Sequence, residues 1–212
     1  MNKTFSLYLI TDRHQTRDRS LLAVVEEALA GGVRAVQLRE KDLAARQLLE
    51  LATAMRQLTR RFGAQLLIND RVDIALAADA DGVHLGEAGI PADVARQLLG
   101  PARMVGVSCH DLPGARVAQE RGADFITFGP VYATPSKAAF GEPVGVRLLA
   151  EAVCNLRIPV FALGGITAER VTEVLRSGAA GIALISSIIS ATSPQEAARE
   201  LLLLLSPPLC NG

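Results

Sequence analysis

The 212-residue chain suits a single domain that buries one sizeable core. Its 22 basic residues balance its 22 acidic ones, and this zero formal charge argues against a nucleic acid or an anionic membrane as the partner. Aromatic residues make up 4% of the chain, which argues against a base-stacking surface. The three cysteines, Cys109, Cys154 and Cys210, have no CxxC spacing, so that neither a zinc site nor a disulfide framework is predicted.

Hydrophobic residues make up 50% of the chain, yet no apolar run reaches the length of a membrane span. The longest run, Gly181–Ile189, contains Ser186 and Ser187 and predicts a buried strand that leads into a helix. The first residues lack the charge and cleavage pattern of a signal peptide. We therefore expect a cytoplasmic protein of small-molecule metabolism.

Short β-branched runs alternate with longer helical stretches from one end of the chain to the other. The predicted strands are Leu7–Thr11, Ala35–Arg39, Gln65–Asn69, Gly82–Leu85, Met104–Ser108, Phe125–Gly129, Pro159–Gly164 and Gly181–Ile185. The predicted helices are Leu21–Ala30, Leu43–Arg61, Val72–Ala78, Ala92–Leu99, Leu112–Arg121, Val146–Val153, Ala168–Ser177 and Pro194–Leu205. Near-continuously apolar strands are typical of a parallel sheet that is covered on both faces.

About eight strand–helix units in 212 residues predict a (β/α)₈ TIM barrel, an α/β fold, as a single domain. Residues 1–205 form the predicted barrel, and residues 206–212 form a tail that we expect to fray. An open doubly wound sheet of the same elements is the alternative. The barrel is favoured because eight units leave no spare segment to cover two sheet edges.

Polar residues end the second predicted strand, where Gln37, Arg39 and Lys41 stand at alternate positions. Alternation along a strand points the three side chains the same way, towards the mouth of the barrel. An arginine that binds two phosphate oxygens and a lysine that adds a point charge suit a polyphosphate. The alternative is that these cations form solvated ion pairs with Glu40 and Asp42.

The third predicted strand ends in Asn69 and Asp70. Asn69 is able to recognise a substrate ring or amide, and Asp70 is a hard oxygen ligand that suits Mg²⁺. In the alternative interpretation, Asp70 is the N-cap of the helix that begins at Val72. Both interpretations stay open at this point.

The fourth and fifth strands end near His84, Ser108 and His110. A single histidine is more often structural than catalytic, so that a structural role is favoured for both His84 and His110. Ser108 is better placed to act, since it offers a hydroxyl donor at a strand end.

The longest irregular stretch follows the sixth strand and contains Thr134, Ser136 and Lys137. Loops of about sixteen residues are usually lids or disordered. Two hydroxyls and a lysine within four residues suit closure over a phosphate.

The seventh strand ends in the pair Gly164 and Gly165, and the eighth ends in Ile185 and Ser186 at the start of a helix. Paired glycines let the backbone approach an anion, and a helix start offers free N–H groups. A phosphate site between these two loops recurs in TIM barrels. A tight turn and an N-cap explain either feature alone but not their coincidence.

Seven motifs stand in order at the predicted strand ends. They are QLREK at 37–41, INDRVD at 68–73, DGVHLG at 81–86, GVS at 106–108, GPVYATPSK at 129–137, GGI at 164–166 and IS at 185–186. Together they resemble the thiamine-phosphate synthase family over essentially the whole chain. The resemblance implies an enzyme that joins a pyrimidine-methyl pyrophosphate to a thiazole phosphate and releases pyrophosphate and thiamine phosphate.

The resemblance also implies a role for each matching residue. The pyrimidine pyrophosphate would be held by Gln37, Arg39, Lys41, Asn69, Ser108 and Lys137, with Asp70 as a ligand of the cofactor Mg²⁺. The thiazole phosphate would be received by Thr134, Ser136, Gly164, Gly165, Ile185 and Ser186. Because charge builds on departing pyrophosphate, the catalytic groups would be Arg39, Lys41, Lys137 and Ser108, and no protein nucleophile is needed.

One position departs from the family pattern. Synthases usually carry Gly-Gln-Glu-Asp after the fourth strand, with the Asp as a second Mg²⁺ ligand, whereas this chain has Gly86-Glu87-Ala88-Gly89. Glu87 or a water would replace the ligand that Gly89 lacks, since Mg²⁺ readily keeps waters.

The resemblance leaves two alternatives to the synthase. The first is the thiazole tautomerase branch, but Pro130 occupies the position of its catalytic histidine, so that the synthase is favoured. The second is a non-catalytic relative that binds thiazole or thiamine phosphates. The expected partners are small phosphorylated molecules, and a homo-oligomer is compatible with the sequence, which does not define the number of copies.

Overall fold

A computed structural model describes residues 5–134 and 142–206 and shows a closed barrel of eight parallel strands in chain order. The strands are β1 Leu7–Ile10, β2 Ala35–Leu38, β3 Gln65–Asn69, β4 Gly82–Leu85, β5 Met104–Cys109, β6 Phe125–Phe128, β7 Val160–Leu163 and β8 Gly181–Leu184. Strand β1 pairs with β2 on one side and with β8 on the other, which closes the barrel. The predicted TIM barrel is therefore confirmed.

Helices surround the strands. They are α1 Leu21–Ala30, α2 Ala45–Arg61, α3 Val72–Ala77, α4 Ala92–Leu99, α5 Leu112–Glu120, α6 Gly145–Asn155, α7 Ala168–Arg176, α8 Ser186–Ile189 and α9 Pro194–Leu205, with a 3₁₀ turn at Arg13–Gln15. The Ser193 hydroxyl accepts the Glu196 N–H at 3.3 Å and caps α9. In the described part of the chain, no helix combines the length and hydrophobicity that a membrane span requires.

Two layers of apolar side chains build the core because every strand is covered on both faces. The larger layer lies between the strands and the helices. The smaller layer fills the barrel interior, where the rings of Tyr8, Phe125 and Phe161 pack at centroid distances of 5.5–6.5 Å. These rings leave the space at the carboxyl ends of the strands to polar side chains.

Several strands end one residue earlier than predicted, which changes one argument. Strand β2 ends at Leu38, and α2 begins at Ala45 instead of Leu43. Arg39 and Lys41 therefore lie in a loop, and strand alternation does not explain their direction. The predicted tail concerns residues 206–212, of which 207–212 lie outside the described residues.

Candidate functional site

A cavity of about 800 Å³ opens at the carboxyl ends of the strands. Thirteen residues of the predicted site, including the two positions considered for the metal, line it: Gln37, Arg39, Lys41, Asn69, Asp70, Glu87, Gly89, Ser108, Thr134, Gly164, Gly165, Ile185 and Ser186. The remaining two, Ser136 and Lys137, lie outside the described residues. The structure thus gathers the described candidates at one mouth, as expected for loops that follow parallel barrel strands.

The two cations of the β2–α2 loop face the cavity without a carboxylate partner in the described residues. Glu40 and Asp42, which would have paired with them, both bind Arg13 of the preceding loop instead. The Arg13 guanidinium donates to both Asp42 oxygens and holds the pKa of that carboxyl well below its usual range. The interpretation that Arg39 and Lys41 form ion pairs with Glu40 and Asp42 is therefore wrong.

Asp70 is held at the cavity by its neighbours and does not cap a helix. Its Oδ2 accepts the Asn69 side-chain amide at 2.8 Å, and its Oδ1 accepts the Gly86 N–H at 2.7 Å. Its φ of 58° is left-handed, a conformation that Asp tolerates better than most residues. Since Arg71 occupies the N-cap position of α3, the alternative interpretation of Asp70 as N-cap is wrong.

The position that departs from the family pattern lies directly against Asp70. A Cβ built on Gly89 would come within 2.8 Å of the Asp70 Oδ1. Glu87 also lines the cavity, with 78% of its side chain exposed and its Oε2 4.0 Å from the His110 Nε2. Within residues 5–134 and 142–206, no three His, Cys, Asp or Glu side chains form a metal-binding group.

His84 lies inside the barrel, beneath the cavity. The residue is 1% exposed, its Nδ1 is 3.4 Å from the Tyr8 hydroxyl, and its Nε2 is 3.0 Å from the Ser108 hydroxyl. Burial, and secondarily the charge of Arg39, lowers the pKa of His84 to about 3, so that the ring is neutral at neutral pH. Its contacts support Ser108 and Tyr8, which agrees with the favoured structural role.

The second histidine takes a different position. His110 lines the cavity, and its Nδ1 contacts the Gly129 carbonyl oxygen. That carbonyl can only accept, so that Nδ1 is the donor and carries a hydrogen. The contact links the β5–α5 loop to the end of β6.

The loops after β7 and β8 form the opposite side of the cavity. Gly164 and Gly165 have φ values of 101° and 64°, which favour glycine. A Cβ on Gly165 would come within 2.7 Å of the Ala133 carbonyl oxygen, so that the turn packs tightly against the loop after β6. The Ser187 hydroxyl donates to the Ile166 carbonyl at 3.1 Å and ties the two strand-end loops together.

Sequence reasoning missed several cavity residues, above all Asp12, Gln15 and Arg170. The Arg170 guanidinium donates to the Gly165 carbonyl at 2.5 Å and lies 4.4 Å above the Tyr132 ring. Asp12 and Gln15 follow the end of β1, to which the strand-end rule applies as well. Arg170 stands near the start of α7, and only its tertiary contacts place it here.

Comparisons with known proteins agree with this geometry. Residues 7–188 match the family described as thiamine monophosphate synthase. A Geobacter sulfurreducens protein provisionally named a thiamine-phosphate synthase is 70% identical over 96% of this chain and 95% of its own. The thiamine-phosphate synthase of Roseiflexus castenholzii is 46% identical over 92% of this chain and 86% of its own.

A solved structure extends the comparison to three dimensions. The thiamine phosphate pyrophosphorylase of Pyrococcus furiosus superposes with a TM-score of 0.87 at 38% identity, over 94% of this chain and 95% of its own. The predicted resemblance is confirmed. The chain belongs to the thiamine monophosphate synthase family and is a transferase of thiamine biosynthesis.

Proposed function

We propose that the protein joins a pyrimidine-methyl pyrophosphate to a thiazole phosphate in this cavity, giving thiamine phosphate and pyrophosphate. One observation supports this proposal most strongly. A single cavity of about 800 Å³ has two cations on one side, Arg39 and Lys41, which form no ion pair with the residues that the structure describes, and the Gly164–Gly165 turn on the other. Two anionic groups of different charge would find matching surroundings there.

The cationic side suits the pyrophosphate of the first substrate. Arg39 and Lys41 would bind its oxygens, Lys137 is proposed as a third cation, and Gln37, Asn69 and Ser108 would add hydrogen bonds. These cations stabilise the charge that builds on pyrophosphate as its bond to the methylene carbon breaks. Ser108 is oriented by the neutral His84 behind it.

The opposite side suits the phosphate of the thiazole. Backbone N–H groups near Gly165 and Ser186 would bind its oxygens, and Ile185 forms the adjoining wall. Thr134 and Ser136 are proposed to add hydroxyl donors. Held in this way, the thiazole nitrogen would face the methylene carbon and form the new bond to it, so that no protein nucleophile takes part.

The residues around Asp70 fit one Mg²⁺ that is shared with the substrate. Each carboxylate oxygen of Asp70 accepts one hydrogen bond and retains a further lone pair. Magnesium often binds through one or two carboxylates plus substrate phosphates and waters, so that Asp70 alone is an adequate protein ligand. When bound, the ion supplies positive charge beside the pyrophosphate.

The test is an assay of the purified protein with both substrates. We expect thiamine phosphate and pyrophosphate to form in equal amounts with Mg²⁺, and EDTA to abolish both products. An assay for isomerisation of a thiazole phosphate carboxylate runs alongside. Product in that assay alone would indicate the tautomerase, and binding of both substrates without any product would indicate the non-catalytic relative; either result would overturn the proposal.

The proposal includes a cytoplasmic location, because multiply charged phosphates do not cross membranes unaided. The homo-oligomer stays a prediction.

A further inference from the structure

One carboxylate of the QLREK motif has no place in the reaction proposed above. Glu40 stands between Arg39 and Lys41 in sequence, yet it does not line the cavity. Its side chain is 1% exposed, whereas that of Asp42 is 53% exposed. A charged side chain this deeply buried is costly unless its oxygens are fully bonded, so that its partners explain why it is there.

The partners of Glu40 all come from the end of β1. Its Oε1 accepts the Thr11 hydroxyl at 2.6 Å, and its Oε2 accepts the Arg13 N–H at 3.1 Å and the Arg13 guanidinium at 3.4 Å. Thr11 is itself completely buried. The carboxylate therefore joins the β2–α2 loop to the loop after β1, which precedes it by 27 to 29 residues.

The same hydroxyl also holds the backbone of a cavity cation. The Thr11 Oγ1 accepts the Arg39 N–H at 2.9 Å while it donates its own hydrogen to Glu40. The Arg39 amide, the Thr11 hydroxyl and the Glu40 carboxylate thus form a continuous chain of hydrogen bonds. This chain fixes the backbone at the point where strand β2 ends and the loop begins.

Charge balance gives this arrangement a second consequence. Arg13 bonds to Glu40 and to Asp42, and so occupies both carboxylates that neighbour the cavity cations. Arg39 and Lys41 then keep their charge for the cavity, since neither is paired within the described residues.

We propose that Glu40 is a positioning residue that fixes the start of the β2–α2 loop and so holds Arg39 and Lys41 towards the pyrophosphate. The proposal rests on the proposed function, since it assumes that a pyrophosphate binds these two cations. It assigns Glu40 no contact with substrate. Its effect should therefore be confined to one substrate.

The test compares Glu40→Ala and Glu40→Gln with the unchanged full-length protein. Calorimetry measures the binding of inorganic pyrophosphate with Mg²⁺, and steady-state kinetics measures KM for each substrate. We expect Glu40→Ala to weaken pyrophosphate binding and to raise the pyrimidine-substrate KM by about tenfold or more, because small misplacements of positioned groups have large effects. The thiazole-substrate KM should change by less than about twofold.

The isosteric variant separates charge from shape. Glu40→Gln keeps an oxygen for Thr11 but loses the charge that bonds to Arg13, so that we expect a smaller loss of the same kind. If Glu40→Ala does not fold, Glu40→Gln alone tests the inference. A rise in the pyrimidine-substrate KM without a rise in the thiazole-substrate KM supports it, and unchanged pyrophosphate binding contradicts it. Circular dichroism and thermal unfolding establish that each variant is folded.

Asp81→Asn is the control for loss of a largely buried carboxylate that lies away from the cavity. Asp81 accepts the Arg56 guanidinium at 2.7 Å and the Leu66 N–H at 2.8 Å, and its side chain is 13% exposed. It precedes β4 and so lies at the opposite end of the barrel from the cavity. This variant should lose stability while its pyrophosphate binding stays within about twofold of the unchanged protein.

The outcomes separate this inference from the proposed function. If the unchanged protein neither binds pyrophosphate nor forms product, the proposed function fails and this inference fails with it. If the unchanged protein does both, but the Glu40 variants bind pyrophosphate normally or raise both KM values equally, this inference alone is overturned. A selective effect on the pyrimidine substrate that Asp81→Asn does not share supports it.

Discussion

The two sides of the cavity are built from different parts of the chain. After β2 and β3, charged side chains face the space, namely Arg39, Lys41 and Asp70. After β7 and β8, the wall combines the left-handed Gly164–Gly165 turn with apolar side chains such as Ile185. Its one charged side chain in the described residues, Arg170, donates to the Gly165 carbonyl. One side therefore offers two cations and a carboxylate, and the other offers a tight backbone turn whose N–H groups are proposed to bind phosphate.

This difference corresponds to the charges of the two proposed substrates. A departing pyrophosphate gains negative charge during the reaction, and preorganised cations are most effective where charge develops. A phosphate that only anchors its substrate keeps the same charge throughout, so that a rigid backbone site is sufficient. Changes on the charged side should therefore affect the rate, and changes on the backbone side should affect mainly thiazole binding.

The largest effect should follow from loss of a cation on the charged side. We expect Arg39→Ala to lower kcat/KM for the pyrimidine substrate by about a hundredfold or more, the scale observed when one transition-state donor is removed. KM for the thiazole should change little. Arg46→Ala is the control, because Arg46 is an exposed arginine at the start of α2. If Arg39→Ala and Arg46→Ala have similar kcat/KM values for the pyrimidine substrate, Arg39 is not a catalytic residue.

A smaller effect should follow from a change to the backbone side. In Gly165→Ala, the new Cβ meets the Ala133 carbonyl oxygen at 2.7 Å and the Tyr132 Cβ at 2.8 Å, so that the turn has to move. We expect KM for the thiazole substrate to rise about tenfold while kcat changes less, since uniform binding is lost.

Gly63→Ala is the matched control for this substitution. Gly63 has a φ of 61°, close to that of Gly165, but a Cβ there would meet nothing within 4 Å. Both variants should lose about 1–2 kcal/mol of stability from the left-handed conformation. A thiazole KM that rises equally in both would show that backbone strain, and not the contact at the cavity, is responsible.

These regions also show which features sequence could predict. Strands of a parallel barrel end on the same face, so that the order of elements was enough to bring Asn69, Ser108 and Gly165 to one mouth. The partnership of Arg13 with Glu40 was not predictable in the same way. It joins loops 27 residues apart, and the spacing of charges along the chain suggested local ion pairs instead.

Local sequence patterns also gave a wrong prediction where one side chain has two available sets of hydrogen-bond partners. Asp70 precedes a helix and has the composition of an N-cap, but the Gly86 N–H from the neighbouring strand end binds its carboxylate instead. Arg170 had no signal of its own, because its place depends on contacts with Gly165 and Tyr132. The motifs thus predicted most of the loops that form the cavity but not the loop after β1, and the supporting contacts between loops required the structure.

A third prediction concerns the carboxylate that the charged side lacks. In Gly89→Asp, the new side chain would stand against the Asp70 Oδ1, since the Cβ position is 2.8 Å from that oxygen. Two carboxylates this close repel each other unless a cation lies between them. We therefore expect the variant to be less stable than the unchanged protein without metal and to gain more from Mg²⁺, by several degrees in Tm, or about 1–2 kcal/mol.

Thermal unfolding with and without Mg²⁺ measures this gain without any substrate. Adding Asp70→Asn to Gly89→Asp should remove it. An equal response to Mg²⁺ in the unchanged protein and in Gly89→Asp would mean that Asp70 is not a metal ligand.

The smallest effect should come from a single hydroxyl on the backbone side. Ser186 begins α8 and lines the cavity, and its hydroxyl makes no hydrogen bond within the described residues, although its carbonyl accepts the Ser190 N–H at 3.0 Å. If it donates one bond to the thiazole phosphate, Ser186→Ala should raise the thiazole KM about threefold, the value of one ordinary hydrogen bond. Ser190→Ala, at the end of the same helix, should leave both KM values unchanged. If the KM of the pyrimidine substrate rises instead, the pyrophosphate binds on the backbone side, and the two substrates occupy the opposite sides to those proposed.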